Sequence, residues 1–381
     1  MIDLVTQLAA ASFAVSTMVC VLLIFWFGRT KSISAGRNDT SAVQAAHTAP
    51  TPRLGGLAIV TAVFATCWMS YGAAIWGTYS LILLSALPVF VVGLAEDLGF
   101  FASPRNRLLA AAASGALFMF LMGQWLPKTD IPGFDVVMRW APLAIAFSLL
   151  LAVGISHAFN LIDGLNGLTG MTAVGASLAL ALIAHQSGLT EHRDILLIIC
   201  AAVIGFLALN FPFGQIFLGD AGAYVIGHLL VWISISILWN APNVTPFAML
   251  LVFFWPLADT LLAISRRLHL GKPIAQPDRL HFHQLVMRGV EIVLLGRRKR
   301  RLSNPLATMF TVPFILTPMI VGVFLAVEKG KAAVACIMFT AFFVLTYKIG
   351  MWLAPKLRRS VATTVLQAPS VSWKVSAQDS K

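Results

Sequence analysis

Residues 140–190 read WAPLAIAFSLLLAVGISHAFNLIDGLNGLTGMTAVGASLALALIAHQSGLT. Asp163 is the one Asp, Glu, Lys or Arg in that stretch, and it sits between two apolar runs. A helix needs about 20 mostly apolar residues to cross the hydrocarbon core of a bilayer. Trp140–Ile162 and Gly164–Thr190 each supply that length. The corner between them is a very short polar turn. The stretch therefore reads as two membrane helices hinged at Asp163. That reading sets the fold class, an all-α, polytopic membrane helix bundle.

The same test extends outward in both directions. Leu4–Gly28 is one span, and Leu54–Ala95 is long enough for two, broken near Tyr71–Thr78. Leu108–Pro127 and Ile195–Gly219 give one each. Ala221–Ala258 gives two, broken by the turn residues Asn240-Ala241-Pro242-Asn243. Leu302–Val327 and Ala332–Pro355 complete an expected total of eleven transmembrane helices. Composition agrees: 59% of the 381 residues are hydrophobic and 11% charged, against about 25% charged in a soluble domain. A soluble globule is excluded. Cys20, Cys67, Cys200 and Cys336 all lie in apolar runs without CxxC spacing, which argues against zinc, redox chemistry or a disulfide framework. No internal repeat is visible.

An odd number of spans puts the termini on opposite sides, and the Lys/Arg bias assigns them. Arg29, Lys31, Arg37, Arg53, Arg105, Arg107, the run from Arg266 through Arg301 and the tail from Lys356 fall on one side. The other side has Lys128, Arg139, Arg193, Lys329 and Lys331. The N-terminus is expected outside and the C-terminus in the cytoplasm, with cytoplasmic loops at 29–53, 96–107 and 265–303. Residues 1–360 form the expected membrane domain, and 361–381 a disordered cytoplasmic tail. The net charge of +12 is then topology plus attraction to anionic membrane lipids, and no nucleic-acid partner is needed.

With only 15 carboxylates, placement is informative. Glu96, Asp97, Asp163, Asp220, Asp259 and Asp278 all fall at span ends or loops of the expected cytoplasmic face. Acids near a membrane are costly unless solvated, paired or bound to metal. Two of the turns, Asn160–Leu168 and Phe211–Gly222, are rich in Gly and in Asn or Asp, which lets backbone approach a ligand. Oxygen donors of Asp and Asn suit Mg2+ sharing its shell with substrate phosphates. Arg266, Arg267, Lys272, Arg279 and Arg288, with His281 and His283, offer donors for pyrophosphate and sugar oxygens. Together these point to phosphoryl transfer between a soluble nucleotide and a membrane lipid. A secondary transporter is the rival class, but it would set its polar site near the midplane, often in inverted repeats.

Five motifs carry a family resemblance: Pro50-Thr51-Pro52-Arg53-Leu54-Gly55-Gly56, Gly93-Leu94-Ala95-Glu96-Asp97, Asn160-Leu161-Ile162-Asp163-Gly164, Phe217-Leu218-Gly219-Asp220-Ala221-Gly222 and Asp278-Arg279-Leu280-His281-Phe282-His283-Gln284. In this order, over roughly residues 47–290, they resemble the polyprenyl-phosphate N-acetylhexosamine-1-phosphate transferases. The resemblance implies that a lipid phosphate attacks the β-phosphorus of a UDP-N-acetylhexosamine and releases UMP, with Mg2+ required and Mn2+ as a substitute. Undecaprenyl phosphate is the implied acceptor, the bacterial inner membrane the implied location, and a homodimer is in keeping with a family whose members often pair. Carried over by position, Asp220 and Asn160 match metal-binding positions, and Glu96, Asp97 and Asp163 match catalytic ones. Arg53, Asn166, Asn210, Asp259, Arg279, His281, His283 and Arg288 match substrate-binding ones.

The sequence departs from the family pattern in three places. The usual Asp-Asp pair is Glu96-Asp97, a second turn acid is Asn166, and a third loop histidine is Gln284. The loop resembles the GlcNAc-type branch more than the phospho-MurNAc-pentapeptide branch, which points to surface-polysaccharide or O-antigen initiation. Asp259 has a competing expectation as an ion-pair partner of Arg266 or Arg267. His157 and His228 lie in apolar spans and read as helix-packing or interfacial residues.

Overall fold

The computed structural model describes residues 4–30, 51–70, 74–100, 103–271, 280–295 and 299–367. These form helices joined by short turns, with no strand among the described residues. From the amino end the helices are α1 (Leu4–Thr30), α2 (Gly55–Met69), α3 (Ala74–Ser85), α4 (Leu87–Asp97) and α5 (Pro104–Met122). There follow α6 (Phe134–Met138), α7 (Ala141–Leu161), α8 (Leu168–Gln186), α9 (Thr190–Asn210) and α10 (Gly219–Asn240). The remainder are α11 (Pro246–Val252), α12 (Phe254–His269), α13 (Phe282–Val290), a π-helical turn (Glu291–Leu295), α14 (Arg300–Phe324) and α15 (Lys329–Gln367).

Among the described residues, each apolar stretch of the sequence lies for the most part on one of these helices or on a bent pair. Seven described helices are long and apolar enough to cross a membrane, and nine spans result if each of two bent pairs is one. The structure thus supports seven to nine spans by that measure rather than the expected eleven. The shortfall has a local cause. Gly55–Met69 is a shorter apolar helix, α5 begins with the polar Arg105, Asn106 and Arg107 and is not among the counted spans, and α11 and α12 meet at a 78° bend. The other bend, 45°, separates α3 from α4 at Ala86. At the carboxyl end, α15 continues to Gln367, past the boundary expected at 360; residues 368–381 lie outside the described part.

Helix α10 is the axis of the bundle. All of its residues from Gly219 to Leu238 are buried, and α2, α4, α5, α7 and α8 pack around it. Inside a lipid phase apolar helices gain little by leaving the solvent, so association rests on close packing and polar contacts. The sequence supplies small residues where backbones meet. A Cβ on Gly56 would collide with the backbone of Gly222. One on Gly93 would lie 2.6 Å from the Cα of Ala221, and one on Gly227 2.7 Å from the Cα of Ser156. These glycines let α2, α4 and α7 converge on the first turns of α10. Farther along, Trp232 stacks on Phe118 of α5 (ring centroids 4.4 Å apart), and His228 meets Ser85 Oγ at 2.9 Å. His228 is therefore a packing residue, as expected.

The outer helices look outward. Phe25 and Trp26 on α1, and Ile337, Met338 and Trp352 on α15, are exposed. An apolar exterior on this scale suits lipid contact rather than water. At the bundle end away from Gly219, Lys128 Nζ donates to Pro242 O (2.6 Å) and pairs with Asp130 (3.4 Å), which also meets Lys329 (3.8 Å). That end is closed by a small ionic clasp. The opposite end holds the acids.

Candidate active site

The site is built where α10 begins. The segment before α2 runs alongside the segment before α10 in the same direction: Phe217 N donates to Pro52 O (2.8 Å), Gly55 N to Phe217 O (2.9 Å) and Gly56 N to Leu218 O (2.7 Å). Two motifs far apart in sequence are thereby locked side by side. Gly219 has φ +78°, the left-handed region that glycine tolerates, and a Cβ there would strike Asp97 Oδ2 and the carbonyl of Arg53.

Asp97, the last residue of α4, reaches across to cap α10. Its Oδ1 accepts from Asp220 N (2.8 Å) and its Oδ2 from Ala221 N (2.9 Å). A helix starts with backbone N–H groups that lack partners and a partial positive charge, so a carboxylate belongs there. Asp220, the second residue of α10, then faces a ring of donors. Asn160 Nδ2 donates to its Oδ1 (3.0 Å), Arg53 Nη2 lies 3.6 Å from the same oxygen, and Arg107 Nη1 lies 4.0 Å from Oδ2. Arg107 Nε also meets Glu96 (3.5 Å), and Arg53 Nε lies 3.9 Å from Asp97. Tyr224 OH donates to Asn160 Oδ1 (3.2 Å).

Asp163 occupies the turn between α7 and α8, partly buried. Burial pushes its carboxyl up to about 6, with the negative charge of Asp220 acting in the same direction and Arg53 opposing. Four carboxylates thus share a small volume with two guanidiniums. The excess negative charge is the electrostatic character of the site. Among the described residues, however, no three His, Cys, Asp or Glu side chains converge as a metal cage made by protein alone would require.

The histidine arm closes one side. Asp259 on α12 is buried and accepts from the backbone N of Phe282 (3.0 Å) through Oδ1. Its Oδ2 lies 3.1 Å from His281 Nδ1 and 3.7 Å from His283 Nδ1. Phe282 packs edge-on against Trp255 (4.7 Å), anchoring the arm in an aromatic cluster. A Cβ on Gly164 would lie 2.8 Å from His283 Nε2, so the arm rests against the turn that carries Asp163. Burial holds His283 below the usual imidazole range although Asp259 opposes this. Asp259 is thus the anchor of the histidine arm. Of the two arginines expected beside it, Arg266 instead donates to Tyr347 OH (2.8 Å).

The structure therefore brings together Glu96, Asp97, Asn160, Asp163, Asp220 and Arg53, with His281 and His283 adjoining. It sets others apart. Asn210 Oδ1 accepts from Gly167 N (2.7 Å) and its Nδ2 donates to Ile216 O (2.7 Å). Asn166 Nδ2 donates to Pro212 O (2.9 Å), and its backbone binds Asn304 and Thr308. Both asparagines hold turns together. Arg288 lies partly buried on α13, and Arg279 lies outside the described residues. Two residues went unassigned in the sequence. Arg107 enters the sequence reading only as a basic residue of the expected cytoplasmic side, not as a bridge to Asp220. Tyr224 was unmarked, although it stands one helical turn beyond Asp220 on the same face.

An acidic, arginine-bridged site at one end of an all-helical membrane bundle has the charge pattern that phosphoryl transfer at a membrane calls for. Comparison with known proteins agrees. A profile of glycosyl transferase family 4 matches residues 79–238, which include α4, α7 and all but the last two residues of α10. A probable undecaprenyl-phosphate N-acetylglucosaminyl 1-phosphate transferase of Bacillus subtilis is 29% identical over 275 residues, covering 71% of this chain and 75% of the relative. An undecaprenyl-phosphate alpha-N-acetylglucosaminyl 1-phosphate transferase of Escherichia coli is 25% identical over 279 residues, covering 72% and 75%. A phospho-N-acetylmuramoyl-pentapeptide-transferase of Thermotoga petrophila is 30% identical over 223 residues, covering 56% and 68%. The chain belongs to glycosyl transferase family 4.

Proposed function

We propose that the protein transfers an N-acetylhexosamine 1-phosphate from a UDP-N-acetylhexosamine to undecaprenyl phosphate, releasing UMP, as the initiating step of cell-surface polysaccharide or O-antigen synthesis at the cytoplasmic face of a bacterial inner membrane. The observation that carries this reading is the convergence of Asp220, Asn160, Asp163 and Glu96 with Arg53 and Arg107 from five separate chain segments. The names of the Bacillus subtilis and Escherichia coli relatives support the acceptor and the sugar phosphate.

In the reaction an oxygen of the lipid phosphate forms a bond to the β-phosphorus of the donor. The bond from that phosphorus to the bridging oxygen breaks, and UMP keeps the oxygen. A phosphate monoester has a second pKa of about 6, so the nucleophile is largely dianionic at neutral pH without a protein base. Asp97 spends both oxygens on the backbone of α10. Its role here is to fix Asp220, not to take a proton. Arg53 and Arg107 bind phosphate oxygens, and the histidine arm orients the donor. Asp220 and Asn160 would hold Mg2+, a cation that commonly takes one or two carboxylates and fills its shell with substrate phosphates and water. When bound it supplies neutralisation of charge on the transferring phosphoryl group. The excess negative charge of the site fits a divalent cation shared with substrate phosphates.

The test is transfer of label from radiolabelled UDP-N-acetylhexosamine to an organic-extractable lipid, with stoichiometric UMP, by purified protein supplied with undecaprenyl phosphate. EDTA should stop it, and Mg2+ or Mn2+ should restore it. Turnover insensitive to EDTA would remove the cation from the reading. The Thermotoga petrophila relative supports a second reading, transfer of phospho-MurNAc-pentapeptide. A donor panel including UDP-MurNAc-pentapeptide separates the two.

A further inference from the structure

Two of the donors around Asp220 are tied together by a third residue. Tyr224 stands one turn past Asp220 on α10 and is buried. Its hydroxyl donates to Asn160 Oδ1 (3.2 Å), and the Arg107 guanidinium interacts with the same hydroxyl. Asn160 Nδ2 donates to Asp220 Oδ1 (3.0 Å), and Arg107 Nη1 lies 4.0 Å from Asp220 Oδ2. Side chains from α5, α7 and α10 thus close a ring. We infer that Tyr224 is a positioning residue of the transfer reaction, whose hydroxyl completes this ring and so fixes both carboxylate oxygens of Asp220. The inference rests on the transfer reaction proposed above.

The ring can run in one sense only. A guanidinium has donors and no acceptor, and an ionised carboxylate has acceptors and no donor. Arg107 must therefore give to Tyr224, the single hydroxyl proton must go to Asn160, and the amide must turn its nitrogen to Asp220. Without the hydroxyl, the Asn160 oxygen loses the partner that selects this orientation, and the amide is free to turn its oxygen against the carboxylate. Chains of buried hydrogen bonds strengthen one another, so opening the ring at one member weakens the rest. Tyr224 is itself held from the side. The ring of His157 on α7 packs against it, with centroids 4.9 Å apart. His157 Nδ1 donates to Val153 O (3.0 Å), which fixes the imidazole plane. Just beyond, Gly227 lets α10 approach the backbone of α7 at Ser156, where a Cβ would lie 2.7 Å from Cα. His157, expected as a packing residue, thus buttresses the ring from a helix that has little room to shift.

The experiment uses purified full-length protein in nanodiscs and four proteins: wild type, Tyr224→Phe, Asn160→Ala and the double variant. Tyr224→Phe keeps the aromatic ring against His157 and removes one oxygen. It should lower kcat by about ten-fold and leave KM for the UDP-sugar and for undecaprenyl phosphate within about two-fold. Asn160→Ala should lower kcat at least as far. Adding Tyr224→Phe to it should cost less than about two-fold more, because an opened ring has little left to lose. Losses that multiply would overturn the inference, as would wild-type kcat in Tyr224→Phe or a rise confined to the two KM values. Tyr79→Phe is the control, at a buried tyrosine of α3 whose hydroxyl has no partner among the described residues. It should leave kcat unchanged; a fall equal to that of Tyr224→Phe would also overturn the inference. Melting temperatures of the same four proteins read the ring without turnover. The two single losses should again fail to add, and additive losses would overturn the ring. Wild-type protein that makes no lipid-linked product would overturn the transfer reading instead, with the melting cycle still deciding whether the ring exists.

Discussion

Asp220 has one oxygen against Asn160 and Arg53 and the other toward Arg107. Those donors come from three separate chain segments, the one before α2, α5 and α7. Asp220→Ala should therefore cut transfer by about a hundred- to a thousand-fold or more, in the range seen when one preorganised charge is removed from an active site. Folded protein should be retained, as judged by monodisperse elution in detergent. Asp163 allows a sharper test, because burial has already raised its carboxyl to about 6. An unfolded Asp titrates near 3.9. Its folded pKa lies above that value, so ionisation opposes folding: the cost is absent below about 4, grows between about 4 and 6, and is complete above. Asp163→Asn should melt at a higher temperature than wild type at pH 8, with the difference vanishing near pH 4, and yet lose transfer. Melting curves at the two pH values check the first half, and product formation checks the second. This is the trade of stability for function expected where a charge is held in an unfavourable place. Asp163 and Asp220 stand out in the sequence because both lie at the ends of apolar runs, where placing an acid is costly unless it is solvated, paired or metal-bound. Asn166 and Asn210 stand in the same kind of turn, yet their amides bond to backbone. Composition does not separate a turn-holding amide from a ligand-holding one; only the direction of the side chain does.

At the scale of elements, the decisive contact is α4 against the start of α10. Gly93 lies on the backbone of Ala221, and four residues later Asp97 caps Asp220 and Ala221. The spacing is one helical turn, so approach and cap are made by the same face of α4. Asp97→Asn keeps one acceptor and turns an amide donor toward a backbone N–H. One charged hydrogen bond is lost, about 1.5–3 kcal/mol. The expected result is a lower kcat and a lower melting temperature with an unchanged shape of the pH–rate profile. A profile that loses its acid limb would instead make Asp97 a general base. The histidine arm makes a parallel case. Asp259 orders His281, Phe282 and His283 together, so Asp259→Ala should raise KM for the UDP-sugar with little change in KM for the lipid. Donor and acceptor titrations separate those outcomes. The arm was foreseen from alternating His and Phe in a basic loop, but its anchor was not. Asp259 precedes Arg266 and Arg267 by about two helical turns, and local spacing suggested that pairing. The contact actually made crosses to a segment more than twenty residues away, which no local spacing encodes.

For the whole molecule, apolar run length identified the helices well and their bends poorly. Trp140–Ile162 and Gly164–Thr190 became α7 and α8 with the corner at Asp163 where the turn residues put it. Hydropathy is blind to direction, however. Phe253 stands in an unbroken apolar run, yet α11 and α12 meet there at 78°. Orientation across the membrane rests on a different signal, the uneven distribution of lysine and arginine, and its test does not depend on the count of spans. If the basic loops are cytoplasmic, the acidic site opens to the compartment that holds nucleotide sugars, and the ionic clasp of Lys128, Asp130 and Lys329 faces outward. The four native cysteines are free and buried, so an introduced thiol at an exposed position should dominate labelling. Lys299, at the start of α14, and Lys331, at the start of α15, are exposed near opposite ends of the bundle. Lys331→Cys should react with a membrane-impermeant maleimide in intact spheroplasts, and Lys299→Cys only in inverted vesicles or after permeabilisation. The reverse pattern would turn the site away from the cytoplasm and separate it from any nucleotide donor. Labelling of both in intact spheroplasts would mean that the two ends are not divided by a bilayer, and the reading of α14 as a membrane-crossing helix would fall with it.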